Sequence, residues 1–259
     1  MTHLRALWRY RNLLRLWTMR EIRVRYKQSF IGAAWAIVQP LALALMFTTV
    51  FAKLIKVPTG AIPYPLFSYT AVLLWSFFAG GINSGISSLI NNSNLVGKVY
   101  FPREILPLAA IGAALVDLVV ASTGVAVLMA YYRWPLHSAA LWLLPLLLLL
   151  VLLMTGLAML GAAAIVYYRD VRFLVPLGLQ LLFYASPIIY PVDLVPESLR
   201  RVYALNPLVG ILSGTRDALL MGVAPDTRTL IPAAVASLLC IGGGYYVFKR
   251  AERGFADVI

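Results

Sequence analysis

Six long apolar stretches, separated by short polar segments, dominate this 259-residue chain. Residues 30–52 run for 23 positions without a charge. As a helix rising about 1.5 Å per residue they reach ~34 Å, enough to cross the hydrocarbon core of a bilayer. Residues 62–90, 105–132, 139–168, 173–190 and 229–248 read the same way, and only the third stretch holds a charge, Asp117. The expectation is an all-α membrane protein with six transmembrane helices.

An even number of crossings leaves both termini on one side. Cytoplasmic flanks of spans carry an excess of Lys and Arg. The terminal side would hold 15 of them, eight before the first span, and the opposite side 7. Both termini are therefore predicted to be cytoplasmic. The net charge of +12 and the 61% hydrophobic content then describe a lipid-solvated chain and argue against a nucleic-acid partner. A cleaved leader is not expected, because the basic region is long and the first apolar run is a full span. The single cysteine, Cys240, lies inside the sixth stretch.

Residues 1–29 are too polar to insert. At 100° per residue, Ala6, Leu7, Tyr10, Leu13, Leu14 and Trp17 fall within an arc of roughly 120°, while Arg5, Arg9, Arg11, Arg15 and Arg23 lie outside it. Leu4, Trp8, Leu16 and Met19 break the pattern. The segment reads as an amphipathic helix on the cytoplasmic membrane face, held by apolar insertion and by anionic lipid.

Two connectors are unlike plain loops. Residues 91–104, on the cytoplasmic side, begin with helix-capping Asn and Ser and end at Pro102. A short helix there would display Leu95, Val99, Tyr100 and Phe101 to a partner. Gly97-Lys98 lacks the upstream glycine of a phosphate-binding loop, so no nucleotide site is expected here. Residues 191–228, on the external side, are half apolar yet broken by Pro and Gly. They suggest short helices that dip into the outer leaflet and return, or a cap over the spans.

Ordered motifs along nearly the whole chain carry a family resemblance. They are Arg20-Glu21-Ile22-Arg23-Val24-Arg25-Tyr26-Lys27 leading into Gly32-Ala33-Ala34-Trp35 and Gln39-Pro40, then Lys98 to Pro107 with Phe101-Pro102-Arg103-Glu104 at its centre. Tyr168-Arg169-Asp170-Val171, Ser186-Pro187-Ile188-Ile189-Tyr190-Pro191, Asn206-Pro207 and Arg216-Asp217 follow. This series resembles the permease subunits of ABC-2 type polysaccharide exporters, most of all those for lipid-linked O-antigen, with capsule and teichoic-acid exporters close behind.

The resemblance implies a homodimer working with two copies of a separate ATPase subunit, which would bind ATP and Mg, so that this chain is no enzyme and holds no cofactor. It implies a coupling helix over 91–102, with Asn94, Leu95, Lys98, Val99, Tyr100, Phe101, Arg103 and Glu104 at the ATPase. Residues 1–29 form the second contact, through Arg9, Arg15, Arg20, Glu21, Arg23 and Arg25. The transmembrane domain would then occupy 30–259. Gate helices over 191–228 would include Asn206, Pro207 and Arg216, joined by Pro187 and Tyr190 from the end of the fifth span. The substrate would be a polyprenyl-linked polysaccharide, with teichoic acid or a small amphiphilic drug as alternatives, and the location a bacterial inner membrane.

Sugar chains offer flat C–H faces that pack on aromatic rings. Mid-span Trp75, Phe77, Phe78, Phe183 and Tyr184 are therefore channel candidates, although plain helix packing explains them as well. Trp35, Tyr131 and Trp134, near span ends, read as headgroup anchors. Asp117 is costly at mid-span and should face a cavity, a partner or a neighbouring hydroxyl rather than lipid. Gly81, Gly85, Gly242, Gly243 and Gly244 suit close helix contacts, and Pro40 should kink the first span. A membrane enzyme would need clustered acids or histidines, but His3 and His137 fall on opposite sides. A channel or secondary transporter would show more intramembrane charge or an internal repeat.

Overall fold

The computed structural model describes residues 8–99 and 101–255, so Leu4, Arg5, Ala6, Leu7 and Tyr100 lie outside the described residues. Among the described residues five helices are long and apolar enough to cross a membrane: Gly32–Leu54, Tyr64–Asn91, Ile105–Tyr131, Ser138–Tyr167 and Thr227–Gly254. They match five of the six expected spans to within a few residues. The remaining stretch forms a helix over Val171–Tyr184 only. Its 14 residues extend only ~21 Å at 1.5 Å per residue, and the chain then turns at Ser186-Pro187 instead of continuing to Tyr190.

Numbered in chain order among the described residues, the α-helices are α1 (Arg11–Tyr26), α2 (Trp35–Phe47), α3 (Tyr64–Asn91), α4 (Ser93–Lys98) and α5 (Ile105–Tyr131). They continue as α6 (Leu143–Tyr167), α7 (Val171–Tyr184), α8 (Glu197–Tyr203), α9 (Pro207–Arg216) and α10 (Thr227–Ala251). Local chemistry sets several starts. Asn206 accepts from the Leu208 amide at 3.0 Å and Pro207 occupies the first turn of α9; Asp226 caps α10 by accepting from the Arg228 amide at 3.0 Å. Wider π-type turns extend α2 over Thr48–Leu54 and α9 over Asp217–Met221.

Lipid supplies no hydrophobic drive between helices, so close approach through small residues must hold them. The α6 and α10 backbones meet at glycines: a Cβ on Gly156 would overlap the Cys240 backbone, and one on Gly244 would overlap Gly156. On α3, Gly81 lies against Met154 and Gly85 against Ala158 of α6. Gly242 and Gly243 face open space.

The packed helices make two cores. The larger runs through α2, α3, α5, α6, α7 and α9, with Tyr69, Phe78, Leu150 and Met154 fully buried. The smaller lies where α3 ends, α5 begins and α6 and α10 end; it contains Leu89, Val96, Phe101, Ile105, Phe248 and Phe255. Tyr10, Leu13, Leu14 and Trp17 pack against this second core. The apolar stripe of the N-terminal helix is thus covered by protein, and its Arg9, Arg11, Arg15 and Arg23 point outward.

Candidate functional site

The candidate residues gather at three places. The first is a cavity of about 530 Å³ walled by the end of α1 and by α2, α3 and α5. Asp117, 12 residues into α5, lines it and accepts hydrogen bonds from Arg25 and from the Tyr26 hydroxyl. The mid-span carboxylate is paired with a cation delivered by α1 rather than left to a neighbouring Ser or Thr. Burial, reinforced by the bond to Asp117, raises the Tyr26 phenol to about 12, so it remains a donor. Trp35, Gln39, Trp75, Ser76 and Asn83 also line the cavity, placing two indole faces beside three neutral polar groups.

Trp75 meets Phe183 edge-on at 5.3 Å, and Phe183 lies 5.9 Å from Phe47. Phe78 is 0% exposed, so it belongs to the core and not to a channel wall. Tyr184 points away from the cavity, onto an exposed face of α7 shared with Phe173, Leu174, Leu177 and Leu181. Of the mid-span aromatics, Trp75 and the largely buried Phe77 line the cavity and Phe183 backs it.

The second place is the turn holding α4. Asn94 and Lys98 of α4 and the Val99 that follows it are exposed. Leu95 and Phe101, expected to be displayed, turn inward instead: Phe101 is buried in the second core and Leu95 packs beside it. Leu95 and Phe101 serve the fold, because α3, α5 and α10 converge beneath them, while Val99 stays exposed. Arg20 of α1 donates to Asn92 Oδ1 at 2.8 Å, Asn92 Nδ2 donates to the Ser88 carbonyl at 2.8 Å, and Glu21 lies 3.7 Å from Arg20.

Arg103 and Glu104 also face inward. Lys249 Nζ of α10 lies 2.6 Å from Glu104 Oε2 and 2.8 Å from Glu252 Oε2. The Arg103 amide donates to Glu252 Oε1 at 3.0 Å, and its guanidinium donates to the Glu252 carbonyl at 2.7 Å and to the Val96 carbonyl at 3.3 Å. Nothing in the sequence pattern pointed to Lys249 or Glu252, because 145 residues separate Lys249 from Glu104.

The third place is the external segment, where Pro187, Tyr190, Asn206, Pro207 and Arg216 come together. Arg216, 3% exposed, donates to the Pro187, Ile188 and Phe67 carbonyls, and its guanidinium lies 3.4 Å from the Phe67 ring centroid. Asn206 Nδ2 donates to the Ala185 carbonyl at 2.9 Å and to Ser186 Oγ at 3.0 Å. The Tyr64 hydroxyl donates to the Ile189 carbonyl at 2.8 Å, and that of Tyr190 to the Tyr184 carbonyl at 2.9 Å. The elbow after α7 is thereby pinned from α3, α9 and its own strand of chain. Burial, then the bond to Tyr190, pushes the Tyr203 phenol well above its ordinary value. Tyr64 and Tyr203 were missed by the sequence; a hydroxyl within an apolar run was their one signal.

With this geometry in place, the sequence model of the family described as ABC-2 type transporter matches residues 12–220. The chain belongs to the ABC-2 type transporter family. It is 30% identical over 263 residues to the O-antigen export system permease protein RfbA of Myxococcus xanthus, covering 98% of each chain. An RfbA of Klebsiella pneumoniae is 29% identical over 96% of this chain and 95% of its own. The polysialic acid transport protein KpsM of Escherichia coli is 22% identical over 91% and 92%. The matched region of this ABC-2 transporter runs from α1 to the π turn after α9; Lys249 and Glu252 lie beyond it.

Proposed function

We propose that two copies of this chain form a channel and work with two copies of a separate ABC ATPase subunit to move a polyprenyl-linked polysaccharide out of the cytoplasm across the inner membrane. The observation that carries this reading is end-to-end likeness to permeases named for O-antigen and polysialic acid transport. Higher identity to the O-antigen proteins favours an O-antigen-like glycan over a capsular one.

The site chemistry supports a sugar cargo. Trp35 and Trp75 offer faces for C–H packing, and Gln39, Ser76 and Asn83 offer donors and acceptors for hydroxyls. The exposed Asn94 and Lys98 of α4 and the following Val99 form the surface for the ATPase, with Arg9, Arg15 and Arg23 of the first helix as the second contact and near anionic lipid. ATP and Mg belong to that subunit. In this reading α7 and its elbow together make a sixth, shortened crossing, both termini are cytoplasmic, and α8 and α9 gate the external exit under the control of Arg216.

Deleting the gene in its host without disturbing its neighbours tests the proposal. Loss of surface polysaccharide, with lipid-linked glycan accumulating inside, is the expected result. An unchanged surface with altered drug sensitivity would move the protein to small-molecule export.

A further inference from the structure

The ion cluster at the foot of α10 joins segments that an exporter must move together. Glu104 is 0% exposed, one carboxylate oxygen takes Lys249, and the other has no partner among the described residues. Arg103, Glu104, Lys249 and Glu252 balance in charge. Glu104 is out of water and its partners are partly so, which is costly, and similarly shaped apolar residues often do as well for stability alone. What the cluster gives in return is a fixed register between the α4–α5 joint and the end of α10. Main chain and side chain are both used: the Arg103 amide and guanidinium grip the Glu252 side chain and carbonyl. Beneath them Phe248 and Phe255, rings 5.4 Å apart, close the second core against Phe101 and Ile105.

From that foot α10 runs the full thickness of the bundle. Its 25 residues span ~38 Å at 1.5 Å each. It lies against α6 at Gly156 and Gly244, and near its other end the Thr229 backbone sits where a Cβ on Gly210 of α9 would be. The same α9 ends in Arg216, which holds the elbow after α7. A continuous packed path thus leads from the α4 face to the external segment.

We infer that Glu104, Lys249, Arg103 and Glu252 are positioning residues that clamp the α4–α5 joint to α10, so that movement imposed at α4 is delivered through the last span to the external gate. This rests on the reading of α4 as the ATPase-docking element. The clamp passes on motion and takes no part in docking itself.

The test uses this chain with its ATPase, purified and placed in nanodiscs, and in a deletion host. In Glu104→Gln with Lys249→Met the complex should copurify and release inorganic phosphate from ATP at near the parental rate. Surface polysaccharide, read on silver-stained lipopolysaccharide gels, should fall about tenfold or more. Lys249→Arg, which keeps the charge and the reach, should export like the parent. Parental export by the double variant, or loss of ATPase copurification, overturns the inference.

A second measurement needs no disruption of the clamp. With Cys240→Ser as background, spin labels at Gly97→Cys, an exposed α4 position with open space around it, and at Arg250→Cys should keep their separation to within ~2 Å between nucleotide-free and ATP-bound complex, as one rigid body must. A change above ~5 Å refutes the clamp. Lys98→Glu with Val99→Gly, assayed alongside, reads the docking assumption separately: normal copurification there rejects the docking face and leaves the label distances to judge the clamp.

Discussion

Replacing Arg216 with Met removes its own donors to the elbow, leaving those of Asn206, Tyr64 and Tyr190, and keeps most of the side-chain length. Three buried carbonyls, those of Phe67, Pro187 and Ile188, would lose their charged donor. Leaving a buried acceptor unsatisfied costs about 1–3 kcal/mol; the Phe67 carbonyl keeps its helix partner, so the two elbow carbonyls at the low end give ~2 kcal/mol. Losing the guanidinium stacked at 3.4 Å on Phe67 adds about 1–2 kcal/mol. Against this, Met no longer has to desolvate a cation, which offsets part of the loss. The net expectation is about 1–3 kcal/mol, concentrated where the chain turns after α7. Fluorescence-detected size exclusion after heating should show a lower midpoint for Arg216→Met, and amide exchange should speed up over residues 185–191 specifically. Arg216→Lys, with its charge but without the planar fork, should fall between the two. A variant that melts with the parent and keeps parental exchange at the elbow would refute the view that Arg216 holds this turn.

Other substitutions test neighbouring parts of the account. Gly156→Leu would push a side chain into the Cys240 backbone, and the membrane-inserted yield of folded protein should collapse, whereas Gly243→Leu, facing open space, should express normally. Arg25→Met and Asp117→Asn should each lower export, and the double variant should lose less than the sum; for a pair this exposed the coupling should be about 1 kcal/mol in a double-mutant cycle. Trp75→Ala should slow glycan export several-fold without lowering ATPase association, while Tyr184→Ala should do so only if that ring, exposed in one protomer, faces the channel of the dimer. Burial, then repulsion from Asp226, raises the Asp217 carboxyl to about 6, opposed by Arg216. A carboxyl raised in the folded state binds its proton before the unfolded chain does, so stability should increase as pH falls from about 6 toward 4 and level off below, and Asp217→Asn should flatten that rise.

Lipid solvation explains both what the sequence revealed and what it hid. Uncharged runs of span length are an unambiguous signal, so α2, α3, α5, α6 and α10 could be placed closely. The same apolarity erases the polar face that would tell lipid from core, and Phe78 and Trp75, three positions apart on α3, could not be sorted into buried and cavity-lining. The stop of α7 at Tyr184 was hidden because the stretch stays apolar to Tyr190; what bends it is a set of hydrogen bonds from Arg216, 28 and 29 residues downstream. Phe101 was expected outward because only its local loop was visible, while the Phe248 and Phe255 rings that cover its side of the fold lie more than a hundred residues away. Arg25 was legible as a basic flank and Asp117 as a costly charge; their pairing across 92 residues is a property of the fold.

The most direct measurement is ATP-driven transfer by the purified complex. This chain, assembled with its ATPase in vesicles whose nucleotide-accessible leaflet carries the host's lipid-linked polysaccharide, should make the glycan accessible to a hydrolase on the opposite side only when ATP is added and hydrolysed. Glycan that stays inaccessible while the assembled complex hydrolyses ATP would contradict the account.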